Sequence, residues 1–487
     1  MSEQESTVQE LTSAPTLADS AETVAAAETA ASDKRPKRKV AIVFGYVGVR
    51  YCGLQWNHDP TNPTVEEKML HALHAAGFIS DENMGKDVMQ KLGWERSSRT
   101  DKGVHALKNL ISLRIMVPPP LPAGSEVETD EAMWARAASM INEKLPSDIH
   151  VYQIVTVTRS FNAYQLCHGR KYEYFLPTFA LMNAAEYQEF LPLTVAPVQP
   201  TEEDMEADDR EYDALLAAAS SSSGTQAVDG ESDEPERRKS KKRRFEGADE
   251  TGMERLMTYR TIPNEAMAKL SSYRISTENL ARARSLFSRY VGTLRYHNFT
   301  PKGRSSDPST IRYITSVTVD EPQIVAPGAD DDLAQGYVMP LCYRPHGMEW
   351  VRIELEGQSF MLNQIRKMIG AVSSIMLSGL PDSYLTDVLL AKEVQRGVPM
   401  APANGLFLSH LDYTKYNLRL DRIQTEGRNG AGKEGVYMDD VNADEVAALR
   451  KRVVDVIARM EMRDNITGRW MRSERHVLHL AWDIKLV

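Results

Sequence analysis

The chain has 487 residues, only three cysteines and a formal net charge of −10. This length allows two or more domains with large cores, and the few, widely spaced cysteines exclude a disulfide scaffold or a cysteine-rich zinc site. No apolar run reaches the roughly 20 residues of a membrane span, and the N-terminus has no secretory or mitochondrial targeting pattern, so we expect no membrane partner.

The N-terminal third begins with a tail and continues as alternating strands and helices. Residues 1–38 are rich in Ala, Glu, Ser and Thr without a period, which predicts a disordered acidic tail. Strand patterns then alternate with two helix patterns, one starting near residue 63 and one covering 131–145. The predicted strands cover residues 39–44, 110–117, 150–161 and 171–176.

Between two of these elements lies the most informative stretch of the chain, S-S-R-T-D-K-G-V-H at residues 97–105. It places Asp101 on a tight turn, with Arg99 two residues before it and Gly103 two residues after it. A carboxylate on a turn at the lip of a sheet is a plausible nucleophile. The same residues are also good type I turn chemistry, and from local chemistry alone the structural interpretation is favoured.

The middle of the chain carries a low-complexity insertion at about residues 183–258. Acidic segments 1–33 and 201–236 carry net charges of −7 and −12, so the remainder carries +9 and is compatible with a polyanionic partner. The insertion contains the basic run R-R-K-S-K-K-R-R at residues 237–244, and a second basic cluster lies at 34–39. Such runs occur in nuclear localisation signals, RNA-contacting segments and solvated linkers. We favour nuclear import and expect a nuclear protein.

After the insertion, strands are predicted at 311–319, 349–355 and 406–411, and helices at 278–292 and 360–377. Each half of the chain thus holds antiparallel-type strands and about two helices, which predicts an α+β protein of two related sheet domains. A final helix begins near residue 442, with an apolar stripe and several basic residues. These basic residues form a solvated face or, as a less favoured alternative, an RNA-contacting arm.

Four further segments accompany the Asp101 turn. They are a tyrosine- and glycine-rich loop at 45–57, R-K-Y-E-Y at 170–174, L-N-Q-I-R-K-M-I-G at 362–370 and P-M-A-P-A-N-G-L-F-L at 399–408. Each has an ordinary structural explanation on its own, since tyrosine pairs on strands pack and helix arginines are usually solvated. Zinc, calcium, P-loop, Rossmann and serine hydrolase motifs are not found in a fitting context, so we predict no metal and no cofactor.

In this order and spacing, the five segments resemble the TruA family of tRNA pseudouridine synthases. R-T-D-K-G-V-H-A at residues 99–106 matches the family's catalytic signature, and the likeness covers about 39–180 and 265–415. Segments 109–113 and 141–149 further resemble eukaryotic nuclear enzymes that modify several tRNA positions. The insertion and the C-terminal extension depart from the compact bacterial pattern, so the resemblance does not indicate which uridines are modified.

The resemblance implies one continuous, mainly antiparallel mixed sheet with a central basic RNA-binding cleft. It divides the chain into the tail 1–38, an N-terminal catalytic domain at 39–165, a C-terminal core domain at 166–416 that contains the insertion, and a helical extension at 417–487. The implied activity is that of an isomerase that converts uridine to pseudouridine in tRNA. Other structured RNAs, including mRNA and snRNA, stay open as substrates, and a monomer is favoured over an oligomer.

The resemblance also implies roles for five residues. Asp101 is the expected nucleophile, whether it attacks C1′, adds to uracil C6 or removes the 2′ proton. Arg366 is its expected ion-pair partner, and Arg99 is expected to enter the space of a flipped base. Tyr172 and Leu406 are expected to bind the uracil. The alternative function is a catalytically silent tRNA-binding or RNA-folding protein on the same scaffold.

Overall fold

One ten-stranded sheet forms the centre of the protein and carries helices on its faces. The structure is a computed structural model, and it describes residues 35–122, 124–190, 264–325, 347–426 and 432–472. Within these ranges the strands follow the order β4 (Ile149–Thr156), β1 (Lys37–Tyr46), β3 (His105–Met116), β10 (Leu406–Asp412), β5 (Gly169–Pro177), β9 (Met348–Gly357), β7 (Ile311–Val319) and β6 (Gly292–Arg295), with β2 (Glu95–Arg96) beside β3 and β8 (Gln323–Val325) beside β9. The predicted α+β class and the mixed, mainly antiparallel sheet are therefore confirmed.

Among the described residues, the N-terminal half contributes four strands and three α-helices. They are β1 (Lys37–Tyr46), β2 (Glu95–Arg96), β3 (His105–Met116), β4 (Ile149–Thr156), α1 (Val65–Ala75), α2 (Val88–Leu92) and α3 (Asp130–Asn142). Strand β1 pairs antiparallel with both β3 and β4. Helix α1 begins with a capping box, since the Thr64 side chain accepts from the Glu67 amide and the Glu67 side chain accepts from the Thr64 amide.

The described part of the C-terminal half contributes the other six strands of the sheet. They are β5 (Gly169–Pro177), β6 (Gly292–Arg295), β7 (Ile311–Val319), β8 (Gln323–Val325), β9 (Met348–Gly357) and β10 (Leu406–Asp412). The helices that follow β5 along the chain are α4 (Ala184–Phe190), α5 (Asn264–Ser272), α6 (Thr277–Ser288), α7 (Gln364–Ser378), α8 (Thr414–Thr425), α9 (Ala443–Asp464) and α10 (Ile466–Arg472).

The two halves join through a short parallel pairing of β3 with β10. Phe407 lies opposite His105, and Leu408 lies opposite Ala106. Strand β10 pairs on its other side with β5, antiparallel, so that Leu408 faces Tyr172 and Leu406 faces Tyr174. Tyr172 and Leu406 thus lie in the region of the sheet where strands from both halves meet.

Helix α9 packs against the sheet with the predicted apolar stripe inward, and Leu449, Val453 and Ile457 are buried. Two of its basic residues make hydrogen bonds within the protein. Arg450 binds Glu173 of β5, and Arg452 donates to the Ser147 carbonyl. Arg450 therefore does more than form a solvated face, since it pairs with a buried carboxylate, whereas the Arg452 bond is exposed.

Several predicted boundaries need correction. Residues 37 and 38, placed in the disordered tail, belong to β1, because their backbone pairs with Met116 and Ile115. The insertion cannot start near residue 183, since the next residues form α4 with Phe190 buried. The boundary between 416 and 417 falls inside α8. The basic run at 237–244 and most of the acidic tail lie outside the described residues.

Candidate active site

Asp101 lies on the turn between β2 and β3. The turn is closed by the Val104 amide, which donates to the Asp101 carbonyl at 3.1 Å, and Gly103 adopts a positive φ of 79°. The Asp101 side chain is partly exposed, whereas Thr100 and Val104 on either side are buried. The residue thus serves the turn through its backbone, as turn chemistry predicts, while its side chain keeps some exposure to solvent.

The glycine-rich loop after β1 packs directly on this turn. Gly53 has φ of 90°, and a Cβ added there would lie 2.7 Å from the Thr100 carbonyl oxygen. At Gly48 an added Cβ would lie 2.0 Å from the Val104 carbonyl oxygen. Tyr46 adds a hydrogen bond between its hydroxyl and Thr100 Oγ1 at 2.7 Å. The two glycines therefore allow the backbone of the loop to approach the backbone of the Asp101 turn closely, and this contact fixes the turn.

Strand β5 places Tyr172 beside the same turn. Its hydroxyl lies 2.5 Å from Ser98 Oγ, and its ring meets Phe360 edge to face, with centroids 5.3 Å apart. The ring is buried, and burial raises the pKa of the phenol, so it stays protonated. Tyr174, two residues on, donates to the Pro402 carbonyl at 2.8 Å. One tyrosine of the pair thus borders the Asp101 turn, and the other holds the segment before β10.

Arg366 lies in the first turns of α7. The helical pattern predicts it on the side opposite much of the apolar stripe, yet the structure leaves it only 9% exposed. Its Nε donates to the Ala401 carbonyl at 2.7 Å, and the Ala401 amide donates to the Arg366 carbonyl at 3.0 Å. Gly370 makes this close packing possible, because an added Cβ would lie 2.3 Å from the Pro399 carbonyl oxygen.

The charges of two arginines act on Asp101. Burial raises the pKa of its carboxyl above the ordinary value, and the positive charges of Arg366 and, to a smaller extent, Arg99 oppose this rise. The Asp101 charge in turn raises the pKa of Tyr172 slightly. Asp101, Arg366, Arg99 and Tyr172 therefore form one electrostatic group drawn from both halves of the chain.

The two remaining predicted residues occupy different environments. Arg99 is exposed, on the turn itself. Leu406 is buried at the start of β10, opposite Tyr174, and its amide donates to the Ala403 carbonyl at 3.0 Å. Leu406 thus lies two residue pairs along the sheet from Tyr172, on the strand that joins the halves.

Sequence reasoning missed two buried polar residues that hold the start of the turn. Arg170 is 7% exposed and donates from Nη2 to the Ser97 carbonyl at 2.7 Å and from Nη1 to the Gln358 carbonyl at 3.0 Å. Asn109 accepts from Ser97 Oγ at 2.6 Å and donates to the Ser98 carbonyl at 3.3 Å. Arg170 shares a strand face with Tyr172 and Tyr174, and that period of two could have marked it.

Two absences hold for the part of the chain that the structure describes. There, no three His, Cys, Asp or Glu side chains come together in a way that could hold a metal ion. In the same ranges, no helix combines the length and the apolar character needed to cross a bilayer.

The fold and site define a class of protein: an α+β scaffold whose two halves bring a partly buried carboxylate, two arginines and a tyrosine to one junction. Comparison with known proteins places the class. A family profile described as tRNA pseudouridine synthase matches residues 286–414. The chain is 30% identical to tRNA pseudouridine synthase 1 of Yarrowia lipolytica, over 86% of this chain and 71% of that protein.

Other relatives agree. The chain is 32% identical to tRNA pseudouridine synthase 1 of Kluyveromyces lactis, over 80% of this chain and 62% of that protein. It is 28% identical to the mouse Pseudouridylate synthase 1 homolog, over 82% and 69%. The chain thus spans about three fifths of the length of the first fungal relatives. It belongs to the tRNA pseudouridine synthase family.

Proposed function

We propose that this protein is an isomerase that converts uridine to pseudouridine in tRNA. The observation that carries the proposal is the placement of Asp101 within the field of Arg366 and Arg99, beside the ring of Tyr172. The family membership and the names of the relatives agree with this activity.

The reaction replaces the carbon–nitrogen glycosidic bond of one nucleotide by a carbon–carbon bond. The bond from C1′ to N1 breaks, the uracil turns, and C1′ bonds to C5, which gives up its proton while N1 gains one. Atoms and electrons balance without an oxidant, a reductant or an energy source. A single ionised carboxylate can start this sequence by attack at C1′, by addition at C6 or by removal of the 2′ proton, and Asp101 is our candidate.

An ionised Asp101 is needed in each of these steps. Burial favours the protonated form, so the cleft must supply positive charge to keep the carboxylate reactive at neutral pH. Arg366 supplies the larger share of that charge, and its bonds to Ala401 fix the guanidinium in place. We therefore assign Arg366 as the ion-pair partner.

The uridine must leave its stack to reach Asp101. Extrusion of a base costs a few kcal/mol, and stacking of one base on an aromatic ring returns about 1–3 kcal/mol. Tyr172 is the proposed stacking ring, and its bond to Ser98 together with the edge contact to Phe360 fixes its orientation. Leu406 is the proposed apolar wall of the base pocket, and the exposed Arg99 is proposed to fill the space that the base leaves.

Substrate range, location and assembly belong to the same proposal. We propose that tRNA phosphates are held by a basic cleft around the junction, with mRNA and snRNA as further candidate substrates. The basic run at 237–244 supports a nuclear location. One chain supplies Asp101, Arg366 and Tyr172 together, which supports a monomer.

Incubation of the full-length protein with unmodified tRNA transcripts tests the activity. We expect new pseudouridine at defined positions, mapped by carbodiimide modification and primer extension, and none with Asp101→Ala. Binding of the same transcripts by Asp101→Ala should stay within about threefold of wild type, because phosphate contacts dominate RNA affinity. Normal binding by wild type without product would instead favour a silent tRNA-binding protein.

A further inference from the structure

His105 begins β3, four residues after Asp101, and is fully buried. Its Nδ1 accepts from the Gly48 amide at 3.1 Å, and its Nε2 lies 3.2 Å from the Asn404 carbonyl oxygen. A carbonyl oxygen only accepts, so Nε2 carries the hydrogen. The neutral imidazole with a proton on Nε2 therefore satisfies both contacts at once.

The imidazole is suited to remain in that form. Burial lowers the pKa of His105 to about 4. A second proton would have to sit on Nδ1 and would face the Gly48 N–H, so protonation would break the bond to the loop. The side chain is thus a neutral bridge between two backbone segments at neutral pH.

Those two segments belong to different halves of the protein. Gly48 is in the loop that packs under the Asp101 turn, and Asn404 ends the segment 401–404 before β10. The first two residues of that segment are bonded to the C-terminal half. Arg366 bonds Ala401 in both directions, and the Tyr174 hydroxyl donates to the Pro402 carbonyl.

Segment 401–404 is thus bonded both to Arg366 and, through His105, to the turn that carries Asp101. Arg366 is bonded to its first residue, and the turn that carries Asp101 is bonded to its last residue through His105. Phe407 lies opposite His105 in the parallel pairing, so the bridge sits where the halves join. A change in this bridge would shift one charge relative to the other.

We propose that His105 is a positioning residue, which sets the separation of the Asp101 carboxylate and the Arg366 guanidinium by tying the Asp101 turn to segment 401–404. The effect on turnover rests on the proposed function, whereas the effect on the Asp101 carboxyl does not. His105 touches no reacting atom, and it acts through the two segments that it joins.

Three substitutions at His105 separate its two bonds. A glutamine amide reaches about as far as Nε2, so His105→Gln keeps a donor for Asn404. An asparagine amide reaches about as far as Nδ1, so His105→Asn keeps an acceptor for Gly48. His105→Leu removes both. His297→Gln is the matched control, because His297 is also fully buried with Nε2 2.7 Å from the Val394 carbonyl, which is not part of segment 401–404.

Two readouts are measured on the full-length protein: the single-turnover rate of pseudouridine formation, and the pKa of Asp101 from carboxyl-labelled NMR, assigned with Asp101→Asn. We expect His105→Gln to keep the rate within about tenfold, the effect of one weakened hydrogen bond. His105→Asn and His105→Leu should lose about 100-fold, the effect of a 1 Å misplacement. In these two variants the Asp101 pKa should rise further, because Arg366 is less well placed.

Rates that follow the melting temperature across all variants, His297→Gln included, would overturn the proposal, since they would mark a purely structural role. So would a rate for His105→Asn equal to or above that of His105→Gln, or an Asp101 pKa that does not move in His105→Leu. Absence of pseudouridine with wild type would overturn the proposed function instead. The NMR titration would still decide whether His105 positions the two charges.

Discussion

The two faces of strand β5 show how one strand serves two purposes. Tyr172 and Tyr174 point to the face of the Asp101 turn, and Glu173, between them, points to the opposite face under α9. Side chains alternate between the faces of a sheet, so adjacent residues in one short segment meet different surroundings. Each face carries an acidic group with arginines around it.

The surroundings of the two carboxylates differ in how completely they compensate the charge. Glu173 is 1% exposed and accepts from Arg450 at 2.6 and 2.7 Å, one bond on each oxygen, with Arg352 at 3.4 Å. Asp101 is partly exposed and has a raised pKa in spite of Arg366 and Arg99. A saturated carboxylate holds α9 to the sheet, whereas an incompletely compensated one is available for chemistry.

Apart from changes at Asp101 itself, the largest effect is expected from Arg366→Met. Loss of the main cation beside Asp101 should lower the single-turnover rate by about 10²- to 10³-fold, as for other preorganised charges. Removal of the positive charge also raises the Asp101 pKa, so the acid limb of the pH–rate profile should move to higher pH. Lys367→Met, on the next residue of α7, is the control and should leave the single-turnover rate and the acid limb nearly unchanged. An unmoved acid limb would contradict the assignment.

On the opposite face, Glu173→Gln should destabilise the protein and spare the chemistry. Breaking a buried ion pair costs about 3–5 kcal/mol, and the partial exposure of Arg450 reduces our expectation to about 2–3 kcal/mol. Urea denaturation measures the loss. Glu354→Gln, which breaks the more exposed pair with Lys171, should cost less than about 1 kcal/mol. Equal losses for the two variants would remove the special role of Glu173.

A smaller effect is expected from Tyr172→Phe. The ring stays in place for stacking, and only the bond to Ser98 is lost, so the rate should fall about fivefold, equivalent to about 1 kcal/mol. Tyr172→Leu removes the ring as well and should fall further, by the about 1–3 kcal/mol of a stacked base. Single-turnover rates of the pair measure the difference. A leucine variant as active as the phenylalanine variant would exclude stacking on this ring.

The smallest expected effect is a gain in stability for Asp101→Asn. The folded-state pKa of Asp101 is raised, so its contribution to stability is present below the ordinary value of 3.8 and is lost as pH rises through the folded-state value. At neutral pH the ionised group therefore costs stability, and the neutral amide should raise the melting temperature. A lower melting temperature than wild type at pH 7 would show that Arg366 and Arg99 compensate the Asp101 charge as fully as Arg450 compensates that of Glu173.

Local patterns in the sequence predict a good part of this picture. The cap at Thr64, the alternation in β9 and the stripe of α9 are all visible in short windows, because they depend on neighbours a few residues apart. The turn at Asp101 is likewise local.

Long-range contacts account for what the sequence does not reveal. Glu173 and Arg450 are 277 residues apart, and His105 and Asn404 are 299 apart, so no window contains either pair. Helical periodicity leaves Arg366 outside the apolar stripe, but segment 399–401 covers it, and that depends on the backbone approach at Gly370. Strand β3 begins at residue 105 and not 110, because the parallel pairing with β10 extends it to His105.

Release of tritium from C5-labelled uridine in tRNA tests the central claim most directly, since each isomerisation must expel the C5 hydrogen. Under single-turnover conditions, at a temperature where both variants are folded, Glu173→Gln should release tritium at nearly the wild-type rate. Asp101→Asn should bind the same tRNA but release tritium at least about 10³-fold more slowly than wild type. Comparable release by Asp101→Asn and wild type would contradict the account, because the essential carboxylate would then lie elsewhere.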